Sequence, residues 1–98
     1  MRIIAVKTLK AFWDIYQDSE IPLRIWYQRV RKLVWNNPND VLKDFPDADI
    51  IGNNRIVFNI KRNSYRLIVM IRYNKNICFI RFIGTHKEYD RIINITEI

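Results

Sequence analysis

Apolar residues in the first half of the chain recur at the spacing of amphipathic helices. A first stripe falls at i, i+3, i+4 and i+7 and predicts a helix from about Lys7 to Gln17. Its members are Leu9, Phe12, Trp13 and Tyr16. A second stripe follows Ser19, a predicted N-cap, and Pro22, which suits a first helical turn. Its members are Leu23, Trp26, Tyr27, Val30, Leu33 and Val34. The segment NNPND ends this helix, and a short helical turn through Val41 and Leu42 is expected after it.

The second half of the chain changes to the two-residue period of β-strands. Apolar and polar residues alternate from Arg55 to Ile60, and a stretch rich in β-branched residues from Tyr65 to Tyr73 predicts a second strand. Asn74 to Asn76 form a short hairpin connection to a third strand over Ile77 to Thr85. The N-terminal segment MRIIA adds one further candidate strand.

The end of the last predicted strand leads into a short C-terminal helix. Thr85 is a suitable N-cap, and Glu88 three residues later completes a capping-box pattern. Helices that precede a strand meander define an α+β domain, with the N-terminal helices packed on one face of a twisted antiparallel sheet. We interpret the tryptophans and tyrosines of the helical stripes as core residues rather than as a base-stacking surface, because so small a domain needs large buried side chains.

Composition indicates one basic domain over residues 1–98. The 17 Lys and Arg residues exceed the 10 Asp and Glu residues, for a net charge of +7. This charge favours a polyanionic partner, either nucleic acid or an acidic protein, although a merely soluble basic domain would share it. The single cysteine, Cys78, has apolar neighbours and no disulfide partner, so we expect an inert buried thiol in a reducing cytoplasm. The longest apolar run, Leu67 to Ile71, is far too short to span a membrane.

Arginines on the strands form a first candidate site. Arg66 and Arg72 share one face of the second predicted strand. On the next strand Arg81 shares its face with three apolar residues, namely Ile77, Phe79 and Ile83. We expect the sheet face away from the helices to be open to solvent, so these arginines, with Lys61 and Arg62 at the neighbouring turn, would form a basic concavity suited to phosphate. The alternative is a set of solvated charges that discourage edge pairing.

His86, the only histidine, lies four residues before Asp90, so the two side chains share a face of the predicted C-terminal helix. One interpretation is a solvated His–Asp pair on a capped helix. A metal site is a weak alternative, because nothing else in the sequence supplies ligands. A third interpretation is metal-free RNA scission, in which an imidazole serves as proton acceptor or donor and Asp90 fixes its tautomer. The candidate proton and charge partners are Tyr89, Lys87, Arg66 and Arg81.

Several segments of the chain resemble the HigB toxins of bacterial type II toxin–antitoxin modules, a branch of the RelE-like superfamily. The segments RIVFNIK, YRLIVMIRY and ICFIRFIGTHKEYD carry the resemblance, and LKAFW and LKDFPDADIIGNNR extend it over nearly the whole chain. The spacing of Phe58-Asn59-Ile60, Tyr65-Arg66-Leu67 and the Thr85-to-Asp90 motif is the specific part of the match.

The resemblance implies a function that composition does not show. Proteins similar to this chain are ribosome-dependent mRNA interferases, which cut mRNA in the ribosomal A site by attack of a 2′-oxygen on the adjacent phosphate. No metal or cofactor is expected for this reaction. The implied partner is a HigA-type helix-turn-helix antitoxin, so DNA is contacted only indirectly and no membrane is involved. The implied fold is the RelE-like small domain, with its active site on the open sheet face near the C-terminus.

The resemblance also assigns roles to individual residues. His86, Tyr89 and Asp90 fall on the C-terminal motif of the family, and Arg66 falls on its strand arginine. His86 is the expected acid or base. Arg66 and Arg81 would stabilise the pentacoordinate phosphate. The remaining expected participants are Lys87 at the catalytic site and Lys61, Arg62 and Arg72 on the RNA backbone. A non-catalytic RNA- or ribosome-binding module that blocks translation by occupancy stays open as the alternative, since it would need the arginines but not the imidazole.

Overall fold

A computed structural model of the protein describes all 98 residues. The helices are α1 (Val6–Ile15), α2 (Glu20–Val30), α3 (Pro38–Asp44) and α4 (His86–Asp90), with short 3-10 turns at Gln17–Ser19 and Tyr73–Lys75. The strands are β1 (Arg2–Ile4), β2 (Asp49–Gly52), β3 (Arg55–Ile60), β4 (Tyr65–Arg72) and β5 (Ile77–Thr85). These elements confirm an α+β domain with a short C-terminal helix. None of the helices is long and apolar enough to span a lipid bilayer.

The five strands form one sheet in the order β1-β5-β4-β3-β2. Neighbouring strands from β2 to β5 run antiparallel, as predicted for the meander. The candidate N-terminal strand exists, but it pairs with β5 in parallel, so the sheet is mixed. Parallel pairing requires a crossover connection, and α1 to β4 provide it because they lie between β1 and β5 in the chain.

Strand β2 is the element that apolar alternation does not predict. It has four residues and lies at the edge of the sheet. Asp49 and Ile50 are both exposed there, so the sequence shows no alternation of buried and exposed positions. Asn53 and Asn54 connect it to β3 with positive φ angles of 49° and 62°. Asparagine tolerates this left-handed conformation better than most residues, which allows the tight hairpin.

Helices α1 and α2 cover one face of the sheet and form the core with it. Trp13 and Trp26 are buried, which confirms the prediction that the helical aromatic stripe is core. Trp26 meets Phe58 of β3 edge to face with ring centroids 5.4 Å apart. Cys78 is fully buried on β5, and burial raises the pKa of its thiol to about 12, as expected for an inert cysteine.

The predicted second stripe extends too far. Helix α2 ends at Val30, and Val34 beyond it is 65% exposed, so its assignment to the core is wrong. The neighbouring Trp35 is buried instead, with its ring packed against those of Phe45 and Phe58 and its Nε1 donating to the Asp44 carboxylate at 2.8 Å. A change in chain direction after α2 turns Trp35 inward, and helical spacing does not encode that change.

The connection between α1 and α2 also differs from the prediction. Helix α1 ends at Ile15, because residues from Gln17 form a 3-10 turn. Ser19 occupies the N-cap position of α2, but its Oγ donates to the Tyr16 carbonyl at 2.6 Å and accepts no N–H of the helix. The expected turn at Val41 and Leu42 is part of a longer helix, α3, which Asn37 caps by accepting the Asp40 N–H at 3.1 Å.

Asp18 joins the 3-10 turn to the β3–β4 turn. Its carboxylate accepts hydrogen bonds from Lys61 Nζ at 2.6 Å and from the Tyr65 hydroxyl. The hydrogen bond from Lys61, followed by that from Tyr65, holds the pKa of Asp18 below its usual value of 3.8. The same contact with Asp18 raises the pKa of Tyr65 to about 12. The stability that Asp18 contributes is therefore present above its unfolded pKa and is lost as the pH falls below it.

The sheet face away from α1 and α2 is only partly open, contrary to expectation. Val57 and Ile68 point to this face and are nevertheless buried. The segment after α4 returns across it, since Asn53 Nδ2 donates to the Thr96 carbonyl at 2.9 Å and Arg55 donates to the Ile98 carbonyl at 2.8 Å. Three isoleucines of this C-terminal segment, Ile92, Ile95 and Ile98, are partly buried, whereas Ile93 is 91% exposed.

Replacement of Trp35 tests the corrected core. Trp35→Ala removes a fully buried ring and its hydrogen bond, so we expect the free energy of unfolding to fall by about 3–5 kcal/mol. Val34→Ala is the matched control and should change it by less than about 0.5 kcal/mol, because Val34 is exposed. Urea unfolding followed by circular dichroism measures both. Equal effects of the two substitutions would contradict the assignment.

The Asp18–Tyr65 contact predicts a loss of stability at alkaline pH. Native Tyr65 holds its proton to about pH 12, whereas the unfolded phenol releases it near pH 10.0. The stabilisation is therefore complete below pH 10 and declines as the pH rises from 10 toward 12. Tyr65→Phe keeps the ring and should remove this part of the decline, measured as unfolding free energy against pH. Parallel curves for the two proteins would refute the prediction.

Candidate active site

The candidate site lies where β4 and β5 meet the start of α4. Arg66 of β4 pairs with Gly84 of β5 across the sheet, two residues before His86 begins the helix. A Cβ at position 84 would collide with the Phe82 ring and come within 3.1 Å of Glu88 Oε1. Glycine therefore lets α4 fold back closely against β5 beside Arg66.

A capping box sets the start of α4. The Thr85 side chain accepts the Glu88 N–H at 3.2 Å, and the Glu88 carboxylate accepts the Thr85 N–H at 2.8 Å. The predicted capping pattern is thus confirmed. Because both hydrogen bonds of the capping box are present, the first turn of the short helix is fixed relative to β5.

The side chains of His86 and Asp90 contact each other on the exposed side of α4. His86 Nδ1 lies 3.0 Å from Asp90 Oδ2, and the two side chains are 51% and 57% exposed. In a neutral imidazole whose Nδ1–H donates a hydrogen bond to the carboxylate, Nε2 is left as the acceptor. The arrangement is therefore able to present a proton-accepting nitrogen to a ligand.

Tyr89 brings Arg66 into contact with the same helix. The Arg66 guanidinium carbon lies 5.7 Å from the centroid of the Tyr89 ring. Burial is the main cause that raises the pKa of the Tyr89 phenol above its ordinary value. The Asp49 and Asp90 carboxylates raise this pKa further, whereas the Arg66 guanidinium lowers it. The phenol keeps its proton at neutral pH and is able to donate it.

The guanidinium of Arg66 uses only part of its N–H donors within the protein. One terminal nitrogen, Nη1, donates to the Asn63 carbonyl at 3.2 Å, in the β3–β4 turn. A guanidinium has five N–H donors in a planar fork, so the remaining ones are able to bind the oxygens of a phosphate.

The other predicted residues are not all placed together. Arg81 is exposed, and its guanidinium lies 5.4 Å from the Phe79 ring on β5. Lys87 is exposed on α4. Arg72 lies at the opposite end of β4 from Arg66, six residues away and about 20 Å distant at about 3.3 Å per residue.

The turn cations have different surroundings. Lys61 is paired with Asp18, which also accepts a hydrogen bond from the Tyr65 hydroxyl. The Tyr65 ring packs against Phe12 and Tyr16 on the helical side of the sheet. Arg62 follows in the same turn and is exposed. The structure therefore brings together His86, Asp90, Tyr89 and Arg66, and it places Arg72 and Lys61 away from them.

A β-bulge in β5 corrects the predicted face of this strand. Ile68 pairs with Phe82 and Val69 with Ile80, so Arg81 is the extra residue. Residues after the bulge exchange faces, and Ile83 packs against the core rather than beside Phe79 as expected. An irregularity of pairing is invisible to a strict two-residue alternation.

Asp49 is a residue near the site that sequence reasoning missed. It lies on β2 opposite Val57 and influences the Tyr89 phenol. The hairpin signal GNN before Arg55 was available in the sequence to reveal β2 and hence the position of Asp49. No group of three or more His, Cys, Asp or Glu side chains lies close enough together to bind a metal ion.

The fold is that of a small basic α+β domain of the RelE-like class, and comparison with known proteins agrees with it. The family model described as HigB_toxin, the RelE-like toxic component of a toxin–antitoxin system, matches residues 19–92, which include α4 and β2 to β5. The chain therefore belongs to the HigB family of toxins, as its sequence motifs indicate.

Curated relatives extend the similarity beyond the region of the family model. The chain is similar to the "mRNA interferase toxin HigB" of Escherichia coli strain K12, with 29% identity over 92 residues, 92% of this chain and 88% of the relative. Proteins named "mRNA interferase HigB" from Escherichia coli O157:H7 and Shigella flexneri match with the same identity and coverage.

The meeting of Arg66, Asp49 and Tyr89 is testable by titration. Arg66→Gln should raise the pKa of Tyr89 further, because the guanidinium opposes the rise, and Asp49→Asn should lower it. Arg72→Gln, at the far end of β4, is the control and should leave it unchanged. NMR titration of the tyrosine ring carbons gives these values. A response to Arg72→Gln equal to that of Arg66→Gln would argue against the geometry.

Proposed function

We propose that this protein is an endoribonuclease that cleaves mRNA in the ribosomal A site and so stops translation. The observation that carries the proposal is the contact of Arg66 with Tyr89 beside the His86–Asp90 pair. A proton acceptor, a proton donor and a phosphate-binding cation are the groups that phosphodiester cleavage by an internal nucleophile requires. Membership of the HigB family and the names of the curated relatives support it.

The reaction that these groups would serve is a transesterification. A base removes the proton of the 2′-hydroxyl, and the 2′-oxygen attacks the adjacent phosphorus. The bond to the 5′-oxygen breaks, and that oxygen takes a proton from an acid. The products are a 2′,3′-cyclic phosphate and a free 5′-hydroxyl, so no water is consumed in this step.

His86 and Tyr89 are the proposed proton carriers. With Asp90 holding Nδ1, His86 Nε2 is suited to accept a proton, and the protonated Tyr89 phenol is suited to donate one. Arg66 would bind the phosphate and balance the negative charge that grows on it during attack. Arg81 and Lys87 are exposed, lie close to His86 in the sequence and would add positive charge. Arg62 and Arg72 would contact the RNA backbone further from the cleaved phosphate.

The exposure of the His86–Asp90 pair gives the ribosome a physical role. Electrostatic catalysis is strong only where water is excluded, and this pair is in contact with solvent. A bound ribosome and mRNA would exclude this solvent from the site. The proposed location is accordingly the cytoplasm, and the proposed partner in the resting cell is an antitoxin, since the family is defined by such pairs.

Removal of the imidazole tests the proposed chemistry. We expect His86→Ala to lower the rate of mRNA cleavage by about 100-fold or more, the typical contribution of a general acid or base. Mapping of new 5′-hydroxyl ends on mRNA in a translating extract provides the measurement. Arg72→Ala is the comparison variant, and it should weaken binding while leaving the rate at saturation near that of the unaltered protein.

The binding-module alternative gives a different result in the same extract. If His86→Ala and the unaltered protein stopped translation equally and neither produced new mRNA ends, the protein would act by occupancy. If His86→Ala cut as fast as the unaltered protein, His86 would have no catalytic role.

A further inference from the structure

The outer surface of α2 exposes two isoleucines that the core does not use. Ile21 and Ile25 lie one helical turn apart and are 70% and 55% exposed. Three other apolar residues of the helix, Leu23, Trp26 and Val30, are buried against the sheet. Large apolar side chains grouped on one exposed face are characteristic of interaction surfaces.

A groove runs past these two isoleucines. One cleft of about 370 Å³ is lined by Ile21, Arg24, Ile25, Gln28, Arg29 and Lys32. An adjoining cleft of about 350 Å³ shares Ile21, Ile25 and Arg29 and continues to Phe45 and Lys61. We call this combined surface the α2 groove. Neither cleft is lined by His86, Asp90, Tyr89 or Arg66.

Four cations and one acidic residue, Asp47, line the α2 groove, and two of the cations have no acidic partner in the chain. Arg24 is paired with Glu20, and Lys61 is paired with Asp18. Arg29 and Lys32 have no carboxylate within 4.0 Å. Arg29 instead lies 4.2 Å from the Phe45 ring centroid and donates to the Asp44 carbonyl at 2.9 Å, which fixes its guanidinium at the groove.

We propose that the α2 groove binds an acidic segment of the antitoxin that carries aliphatic side chains. The inference rests on the toxin–antitoxin role in the proposed function. Aliphatic groups of such a segment would cover Ile21 and Ile25, and its carboxylates would face Arg29 and Lys32. A second copy of this chain fits poorly, because a two-fold contact would bring the same cations together. RNA fits poorly as well, since the exposed floor is aliphatic and the Phe45 ring at its end is already covered by the Arg29 guanidinium.

This placement separates neutralisation from chemistry. The groove belongs to α2 and the end of β3, whereas α4 begins at the end of β5. An antitoxin seated in the groove would stop the toxin by its bulk against the ribosome, with no contact to His86 required. Substitutions in the groove should therefore produce a toxin that still arrests growth but escapes its antitoxin.

The test uses the full chain and the purified antitoxin encoded by the neighbouring reading frame. The double variant Ile21→Asp with Ile25→Asp should bind the antitoxin about 30-fold more weakly or worse, as for two central apolar anchors. Val34→Asp is the matched control, because Val34 is 65% exposed and lines neither cleft. Its affinity should stay within about threefold of that of the unaltered chain.

Charge provides a second, independent variant. Arg29→Glu with Lys32→Glu should slow association and reduce its dependence on salt concentration, because these cations would attract the acidic segment. Circular dichroism establishes that each variant is folded. All groove variants should still arrest growth and cleave mRNA when expressed without antitoxin.

Several results would overturn the proposal. One is an antitoxin affinity of the isoleucine variant equal to that of Val34→Asp. Another is protection of α4, and not α2, from hydrogen exchange when the antitoxin binds. Failure of the unaltered chain to bind the antitoxin would overturn it as well. Binding is measured without RNA, so failure of the cleavage experiment with His86→Ala leaves this result unaffected.

Discussion

The pairing of β4 with β5 is the constraint on which the candidate site depends. A single extra residue, Arg81, enters β5 opposite Ile68 and Val69. Without it the alternation would turn Phe82 into the core and Gly84 to the helical side. With it, Gly84 lies beside Arg66, and α4 starts immediately beyond. Bulges are found near active sites because they redirect side chains in this way.

The two faces of the sheet differ in what packs against them. The helical face holds the large aromatic core, and Asp18 fastens it at the end near the β3–β4 turn. On the second face Val57 and Ile68 are also buried, and the C-terminal segment is hydrogen-bonded to Asn53 and Arg55. The chain as a whole carries a net charge of +7, which favours acidic partners.

Arg66, Tyr89 and the His86–Asp90 pair differ in how far they are withdrawn from water. Tyr89 is partly buried, and this desolvation is the main cause of its raised pKa. The His86–Asp90 pair remains solvated. The inner part of the site is therefore shielded from water, whereas its outer part is in contact with solvent. Under the proposed function, its full electrostatic strength would appear only when a large ligand covers it.

Sequence alone determined the elements whose signals are local. The helical stripes, strands β3 and β5, the capping box at Thr85 and the family motifs around His86 all follow from spacing and residue type. Tertiary structure decided the rest: the parallel pairing of β1, the edge strand β2 with Asp49, the inward turn of Trp35, the bulge at Arg81 and the pairing of Lys61 with Asp18. These features depend on contacts between residues far apart in the chain, and a periodic pattern records only which face of its own element a residue occupies.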